Sequence, residues 1–348
     1  MMKLHFAAYT LQIKQPFGTA HGTRSQTEIM LVALEQNGQF GFGEASLPPY
    51  YQENQATQRA FFAKVDLERL SQLEFDAGLD YLNQLQIGNH AAKAALDIAL
   101  HDLRAKQKGL PIRDLYQIPI LENIPTSYTI GIDTLDKMLA KVAAVPTFKW
   151  LKIKLNGQQD LAVIKAISKA TSQGLLVDAN QAWHDPNEAI ECSKALADLG
   201  VVLIEQAFPK GAFAKTKKLR TASPIPIFAD EDVQRLTDLE RLADCYDGIN
   251  IKLMKCTGIR EAFRMITAAR RLGLRVMLGC MTETSIGISA AAQLASCADW
   301  YDLDGHLLID NDPCRGIACV KGRLRPNALA GLGLTETHRL REILKLPQ

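Results

Sequence analysis

Three acids close apolar runs at nearly equal separations along the chain: Asp178 after Leu-Leu-Val, Glu205 after Val-Leu-Ile and Asp230 after Ile-Phe-Ala. Taken singly, each reads as well as a helix N-cap following a strand. Taken together on neighbouring strands, they would converge. Three carboxylates a few ångströms apart raise one another's pKa values strongly unless a cation joins them. All-oxygen ligation suits Mg²⁺, with Mn²⁺ as the substitute, better than Zn²⁺, which favours His and Cys.

Lysines occupy the corresponding places on flanking runs. Lys152 and Lys154 lie two apart in Leu-Lys-Ile-Lys-Leu, so on a strand both face one side while Leu151, Ile153 and Leu155 face the other. Lys252 ends Gly-Ile-Asn-Ile-Lys, two runs beyond Glu205. Amines on opposite faces of one carbon are what inversion requires: one removes a proton and the other returns it, while a metal stabilises the enediolate formed. Neighbouring cations lower lysine pKa values, so a neutral amine is expected near pH 7. A solvated edge strand is the alternative for Lys-x-Lys. Asp302 and Asp304, in Tyr-Asp-Leu-Asp-Gly, read equally as an inward anionic spot for a substrate ammonium or as turn caps.

The elements that must position these groups form a repeat. Short apolar runs recur after about Asn123: Ser127 to Ile132, Trp150 to Leu155, Leu175 to Asp178, Val201 to Glu205, Pro226 to Asp230, Gly248 to Lys252, Arg275 to Gly279 and Tyr301 to Asp304. Between them lie segments with helical spacing, such as Leu161, Ile164, Ile167 and Ala170. Eight such units predict an α/β fold: a (β/α)8-type, modified TIM barrel with active groups at the strand C-terminal ends. Ahead of it, Lys3 to about Ser46 predicts antiparallel strands, interrupted by loops at Pro16 to Gln26 and Leu47 to Asn54. Asn89 to Lys106 predicts one long helix. The expected division is an α+β cap over 1–120, a catalytic barrel over 121–322 and a C-terminal segment, 323–348, packing on the cap.

Composition narrows the partner. The 348 residues carry 40 basic and 38 acidic side chains, a net charge of +2 without basic clusters. Neither nucleic acid nor an anionic membrane is suggested, and a small molecule is expected. Seven cysteines without a Cys-x-x-Cys pair fit reduced thiols, and the first fifteen residues lack an apolar signal core. A cytoplasmic protein is expected.

These residues together resemble the enolase superfamily in its muconate-lactonizing subgroup, and most closely the dipeptide epimerases, of which L-Ala-D/L-Glu epimerase is the type. The resemblance rests on the Lys-x-Lys strand, Asp-Ala-Asn-Gln at 178–181, Glu-Gln at 205–206, Ala-Asp-Glu at 229–231 and Asn-Ile-Lys-Leu-Met-Lys at 250–255. A lysine base beside Mg²⁺ is a recurring pattern of that superfamily. The resemblance implies Asp178, Glu205 and Asp230 as Mg²⁺ ligands, Lys154 and Lys252 as the acid/base pair, and Lys152 on the substrate carboxylate. It further implies substrate contacts from Thr129, Arg24, Tyr51, Cys280 and Met281, with Asp302 and Asp304 receiving the ammonium of a dipeptide. A homo-oligomer is the usual assembly for such barrels. The same scaffold also serves o-succinylbenzoate synthases, N-acylamino-acid racemases and muconate cycloisomerases, against which the two aspartates argue. One departure stands out: Gly22 occupies the place of the arginine that binds a glutamate side chain, with Arg24 two residues later.

Overall fold

A computed structural model describes residues 1–19, 22–48, 52–157 and 160–347. The chain opens with an antiparallel sheet, β1 (Lys3–Thr19), β2 (Gly22–Gln36) and β3 (Gln39–Ser46), followed by helices α1 (Gln55–Phe62), α2 (Leu67–Gln72), α3 (Phe75–Gln84), α4 (His90–Lys108) and α5 (Ile112–Leu115). The expected loop at Pro16 to Gln26 is instead the continuation of β1 and β2. Past an irregularity between Gln12 and Phe17 the strands pair again, Phe17 with Arg24 and Gly18 with Thr23. Glycines and hydroxyls mark a loop in sequence, but in an extended ribbon the cross-strand ladder satisfies the backbone, and pairing continues as far as Thr19 with Gly22. The long expected helix is α4; the three short helices before it carry too few turns to announce themselves by periodicity.

Small residues bring α4 onto the sheet. A Cβ at Gly43 would lie 2.0 Å from the Ala95 carbonyl oxygen and one at Gly41 2.1 Å from that of Ala99, so the close approach requires glycine at both positions. On its other side, α4 presents Asp97 to the Ile259 amide at 2.6 Å, tying the cap to the barrel.

The second part follows β4 (Ile124–Pro125). Its strands are β5 (Ser127–Ile130), β6 (Trp150–Lys154), β7 (Gly174–Asp178), β8 (Val201–Glu205), β9 (Ile227–Ala229), β10 (Gly248–Lys252), β11 (Arg275–Gly279) and β12 (Trp300–Asp302), parallel and neighbours in chain order. Helices α6 (Leu135–Ala144), α7 (Asp160–Ala170), α8 (Pro186–Asp198), α9 (Phe213–Ala222), α10 (Leu239–Ala243), α11 (Leu253–Cys256), α12 (Ile259–Arg271) and α13 (Ser285–Ala292) alternate with them. Between β12 and β5 the circle is drawn together by side chains: Ser127 Oγ donates to Asp302 at 2.7 Å, and Leu303 N donates to Thr126 Oγ1 at 2.9 Å.

Strand alternation fills the barrel in layers. Leu176, Leu203, Phe228 and Met277 form a buried plug packed against Trp150 and Trp300, whose ring centroids lie 4.9 Å apart. Two residues beyond Leu176, Leu203 and Phe228 stand Asp178, Glu205 and Asp230, and two beyond Trp300 stands Asp302, so the charged layer rests on a dry floor. The chain ends with β13 (Ala318–Val320) and β14 (Arg323–Arg325), which form a sheet with β4, and α14 (His338–Leu344), which lies against β1 and β2. Among the described residues no helix is long and apolar enough to cross a membrane.

Candidate active site

Asp178 and Glu205 end adjacent strands and lie beside each other in the β7–β8 pairing, and Asp230 follows directly on the next strand, β9. Each is buried, and one oxygen from each lies within 4.8 Å of the others. Lys154 Nζ reaches Asp178 Oδ2 at 2.6 Å from one end of this row, and Lys252 Nζ reaches Asp230 Oδ2 at 2.7 Å from the other. Lys152, 1% exposed, stands between clusters: its Nζ is 2.7 Å from both Glu205 Oε2 and Asp302 Oδ2 and 3.1 Å from Asp178 Oδ2.

Burial opposes charge on every one of these groups, and the lysines decide which acids keep it. Burial alone would raise Asp178, yet Lys154 and Lys152 hold it at about 2. Asp230 lies well below the ordinary range despite burial because Lys252 and Lys255 flank it. Glu205 is pushed up to about 7 by burial and then by Asp178. Its Oε2, although near Lys152, accepts no aligned hydrogen bond. An incompletely satisfied buried carboxylate between two others, all oxygen donors, fits a hard divalent cation. Lys152 departs from the expected depression: burial would lower it, but Asp302, Glu205 and Asp178 raise it well above the ordinary lysine value. It is thus a fixed positive charge, suited to a carboxylate rather than to proton removal.

Several residues that hold the acids, some of them inside the motifs quoted above, receive no role from the sequence alone. Lys255 Nζ contacts Asp230 Oδ1 at 2.5 Å, and Asn250 Nδ2 donates to Glu205 Oε1 at 2.8 Å. Room for Asn250 comes from Gly279, where a Cβ would fall 2.3 Å from Asn250 Oδ1. Gln206 accepts from the Asp230 amide at 2.9 Å and donates to Asp232 at 3.0 Å, while Tyr246 donates to the same carboxylate at 2.6 Å. The residues after the acids are backbone exceptions: Asn180, Gln181 and Gln206 have φ of 45°, 68° and 37°. Such conformations in non-glycine residues carry strain of about 1–3 kcal/mol and concentrate at functional sites. The polar Asn-Gln and Glu-Gln steps after apolar runs are the signal that could have found them.

Asp302 and Asp304 face the same mouth beside β5. Thr129 N donates to Asp304 Oδ2 at 2.6 Å, and Cys280 Sγ donates to the Asp302 carbonyl at 3.2 Å. Asp304 is pushed up to about 7, first by burial and then by Asp302. A cavity of about 60 Å³ is lined by Lys152, Lys154, Lys252, Thr129, Arg24, Cys280, Met281, Asp302 and Asp304. Of the sequence-derived candidates, Tyr51 lies outside the described residues.

Residues 1–116 match the mandelate racemase / muconate lactonizing enzyme N-terminal domain, and residues 135–338 match the enolase C-terminal domain-like family. The chain is 43% identical to the L-Ala-D/L-Glu epimerase of Bacteroides thetaiotaomicron, over 96% of this chain and 88% of that protein. It is 35% identical to a hydrophobic dipeptide epimerase of a Flavobacteria bacterium, over 95% and 97%. Among solved structures, the dipeptide epimerase of Enterococcus faecalis complexed with Mg and L-Leu-L-Tyr superposes with a TM-score of 0.88 at 31% identity, covering 96% of this chain and 99% of that one. Two matched domains, a parallel barrel and an antiparallel cap place this chain in the mandelate racemase and muconate lactonizing enzyme family of the enolase superfamily.

Proposed function

We propose that the protein is a Mg²⁺-dependent dipeptide epimerase that inverts the α-carbon of the C-terminal residue. The observation that carries this reading is the placement of Lys154 and Lys252 at opposite ends of the acidic row, with a second anionic pair, Asp302 and Asp304, in the same cavity. Asp178, Glu205 and Asp230 would hold the metal. When bound, a divalent cation supplies charge compensation for these carboxylates and the substrate's own, relieving the grip of Asp178 and Asp230 on the lysine ammoniums.

The chain's own groups then divide the work. Lys152, kept charged by three acids, binds the substrate carboxylate and stabilises the enediolate as negative charge moves onto it. One of Lys154 and Lys252, in its neutral form, removes the α-proton; the other, as an ammonium, returns one to the opposite face. The roles exchange for the other stereoisomer. Asp302 and Asp304 receive the dipeptide's ammonium, a contact that acylated or lactone substrates cannot make.

Arg24 supports an acidic C-terminal residue. Gly22, at the position of the missing arginine, has φ of 116°, a conformation that side-chain-bearing residues rarely adopt, whereas Arg24 lines the cavity. Within this reading, residues 1–120 serve as the cap, 121–322 as the catalytic barrel and 323–348 as the segment closing on the cap.

The deciding measurement is proton exchange in D₂O with L-Ala-L-Glu and a panel of L-Ala-L-Xaa dipeptides, with Mg²⁺ and after chelation. Deuterium should enter the C-terminal α-position, with the D epimer accumulating, only when metal is present. Absence of metal-dependent exchange across the panel removes the proposal.

A further inference from the structure

The cap sheet meets the barrel mouth through one buried carboxylate. Glu44 of β3 is fully buried, and its oxygens accept from Thr284 N at 3.0 and 3.1 Å and from Gly287 N at 3.3 Å. The Thr284 hydroxyl donates to the same group. Two residues along the strand, Ser46 Oγ donates to the Thr282 carbonyl at 3.0 Å. The segment so fastened is the one that brings Cys280, Met281 and Thr282 to the cavity wall. Its own internal tie is Met281 N donating to Glu283 Oε1 at 2.7 Å.

Capping of α13 alone does not account for Glu44. The same helix start has another, half-buried acceptor: Asp312 Oδ2 takes Ser285 N at 2.9 Å and Ser285 Oγ at 2.7 Å, from a segment outside the cap. The difference is what each acid is attached to. β3 ends at Ser46, so Glu44 and Ser46 stand at the root of the 47–54 segment, and both reach the wall on the barrel side.

We infer that Glu44 is a positioning residue for substrate selection, holding the Cys280–Thr282 wall at a fixed offset from the cap segment that leaves β3. This rests on the epimerase reading. A carboxylate suits the task because it only accepts and can take several donors, whereas glutamine of the same length would turn an NH₂ toward donors already present. Displacement of a wall by a fraction of an ångström alters the fit of a substrate side chain while leaving the lysines and acids in place.

The test compares Glu44→Gln with Asp312→Asn in the full chain with Mg²⁺, over a panel of L-Ala-L-Xaa dipeptides. Each variant removes one carboxylate that accepts at the same helix start, Glu44 fully buried and Asp312 half-buried. Glu44→Gln should raise KM for the preferred dipeptide about tenfold and flatten preference across the panel. Its kcat and Mg²⁺ dissociation constant should stay within about twofold. Asp312→Asn should lower the melting temperature with KM unchanged. Equal KM shifts in both variants, or none in Glu44→Gln, overturn the inference. If Glu44→Gln does not fold, Ser46→Ala carries the test with a KM increase of about threefold, and an unchanged KM is then the overturning result. Wild-type protein that exchanges no α-proton sinks the epimerase reading and this inference together; wild-type turnover with an unmoved variant KM sinks the inference alone.

Discussion

Two clusters of buried carboxylates share one barrel mouth, and they are compensated differently. Around Asp178, Glu205 and Asp230 the chain directs Lys152, Lys154, Lys252 and Lys255, each within 3.1 Å of an acid oxygen. At the end of β12, Asp302 shares Lys152, while Asp304 has only the Thr129 amide as a described donor from the backbone. The first cluster is a charge-balanced row in which a divalent cation would compete with ammoniums already there. The second keeps an unbalanced acid whose natural complement is a cation arriving with the substrate. Under the proposed function, this difference in buried charge would separate the groups that run the reaction from the groups that choose what enters.

The largest effects should come from breaking the symmetry of the first cluster. Lys154→Ala and Lys252→Ala should each reduce epimerisation by about 10² to 10⁴-fold, the usual contribution of a positioned acid or base. The informative readout is residual exchange: each variant should still exchange deuterium into one stereoisomer of the dipeptide, and the two variants should retain opposite ones. Equal loss for both stereoisomers in both variants would remove the two-base arrangement, because the flanking positions would then be supporting the acids alone.

The second cluster should show itself through pH. The folded-state value of Asp304, about 7, lies above the ordinary aspartate value of 3.8, so folding favours its protonated form between those limits. Its ionisation therefore costs stability progressively as pH rises toward 7, and the cost is fully present above that. Binding has the opposite demand, since an ammonium needs the ionised acid. KM for a dipeptide should rise as pH falls below 7, and kcat/KM in Asp304→Asn should fall about 30-fold at pH 8, the scale of truncating a buried charge partner. In the same variant the rise of KM below pH 7 should vanish and the melting temperature should increase above pH 7. A KM that still rises below pH 7 in Asp304→Asn would assign that dependence elsewhere.

How much of this was legible follows from what each residue leaves in the sequence. Asp178, Glu205 and Asp230 interrupt apolar runs at one phase of a repeat, and Lys152 and Lys154 share a strand face, so period-2 and repeat arguments reach them. Lys255 sits in the first turn after β10, where a lysine reads as a solvated helix residue; only the tertiary fold turns it onto Asp230. Gln206, Asp232 and Tyr246 come from three separate loops and strands, and no local pattern joins them. The β1–β2 ribbon reads as a loop in sequence because its glycines and hydroxyls are turn-type residues, and composition does not report the ladder that pairs them. The balance of fields on the lysine also lay beyond the sequence: burial lowers Lys152, but the carboxylates of Asp302, Glu205 and Asp178 outweigh it.

That ribbon carries the last and smallest expected effect, on the boundary between the two clusters. Arg24, paired with Phe17 across the ribbon, is half-buried and lines the cavity with Lys152 and Lys154. A guanidinium there adds positive charge where the substrate's second side chain would lie, favouring a carboxylate through charge-assisted hydrogen bonds. Partial exposure tempers the gain, because solvent screens charges near the surface. Arg24→Met should therefore lower kcat/KM for L-Ala-L-Glu about tenfold while leaving L-Ala-L-Leu nearly unchanged. The comparison must be made between the two dipeptides in one variant, since methionine keeps the apolar stem of the arginine and isolates the charge. Equal loss for both substrates would mean that Arg24 shapes the ribbon rather than reads the side chain, and the acidic preference would then have to come from the residues between Leu47 and Asn54.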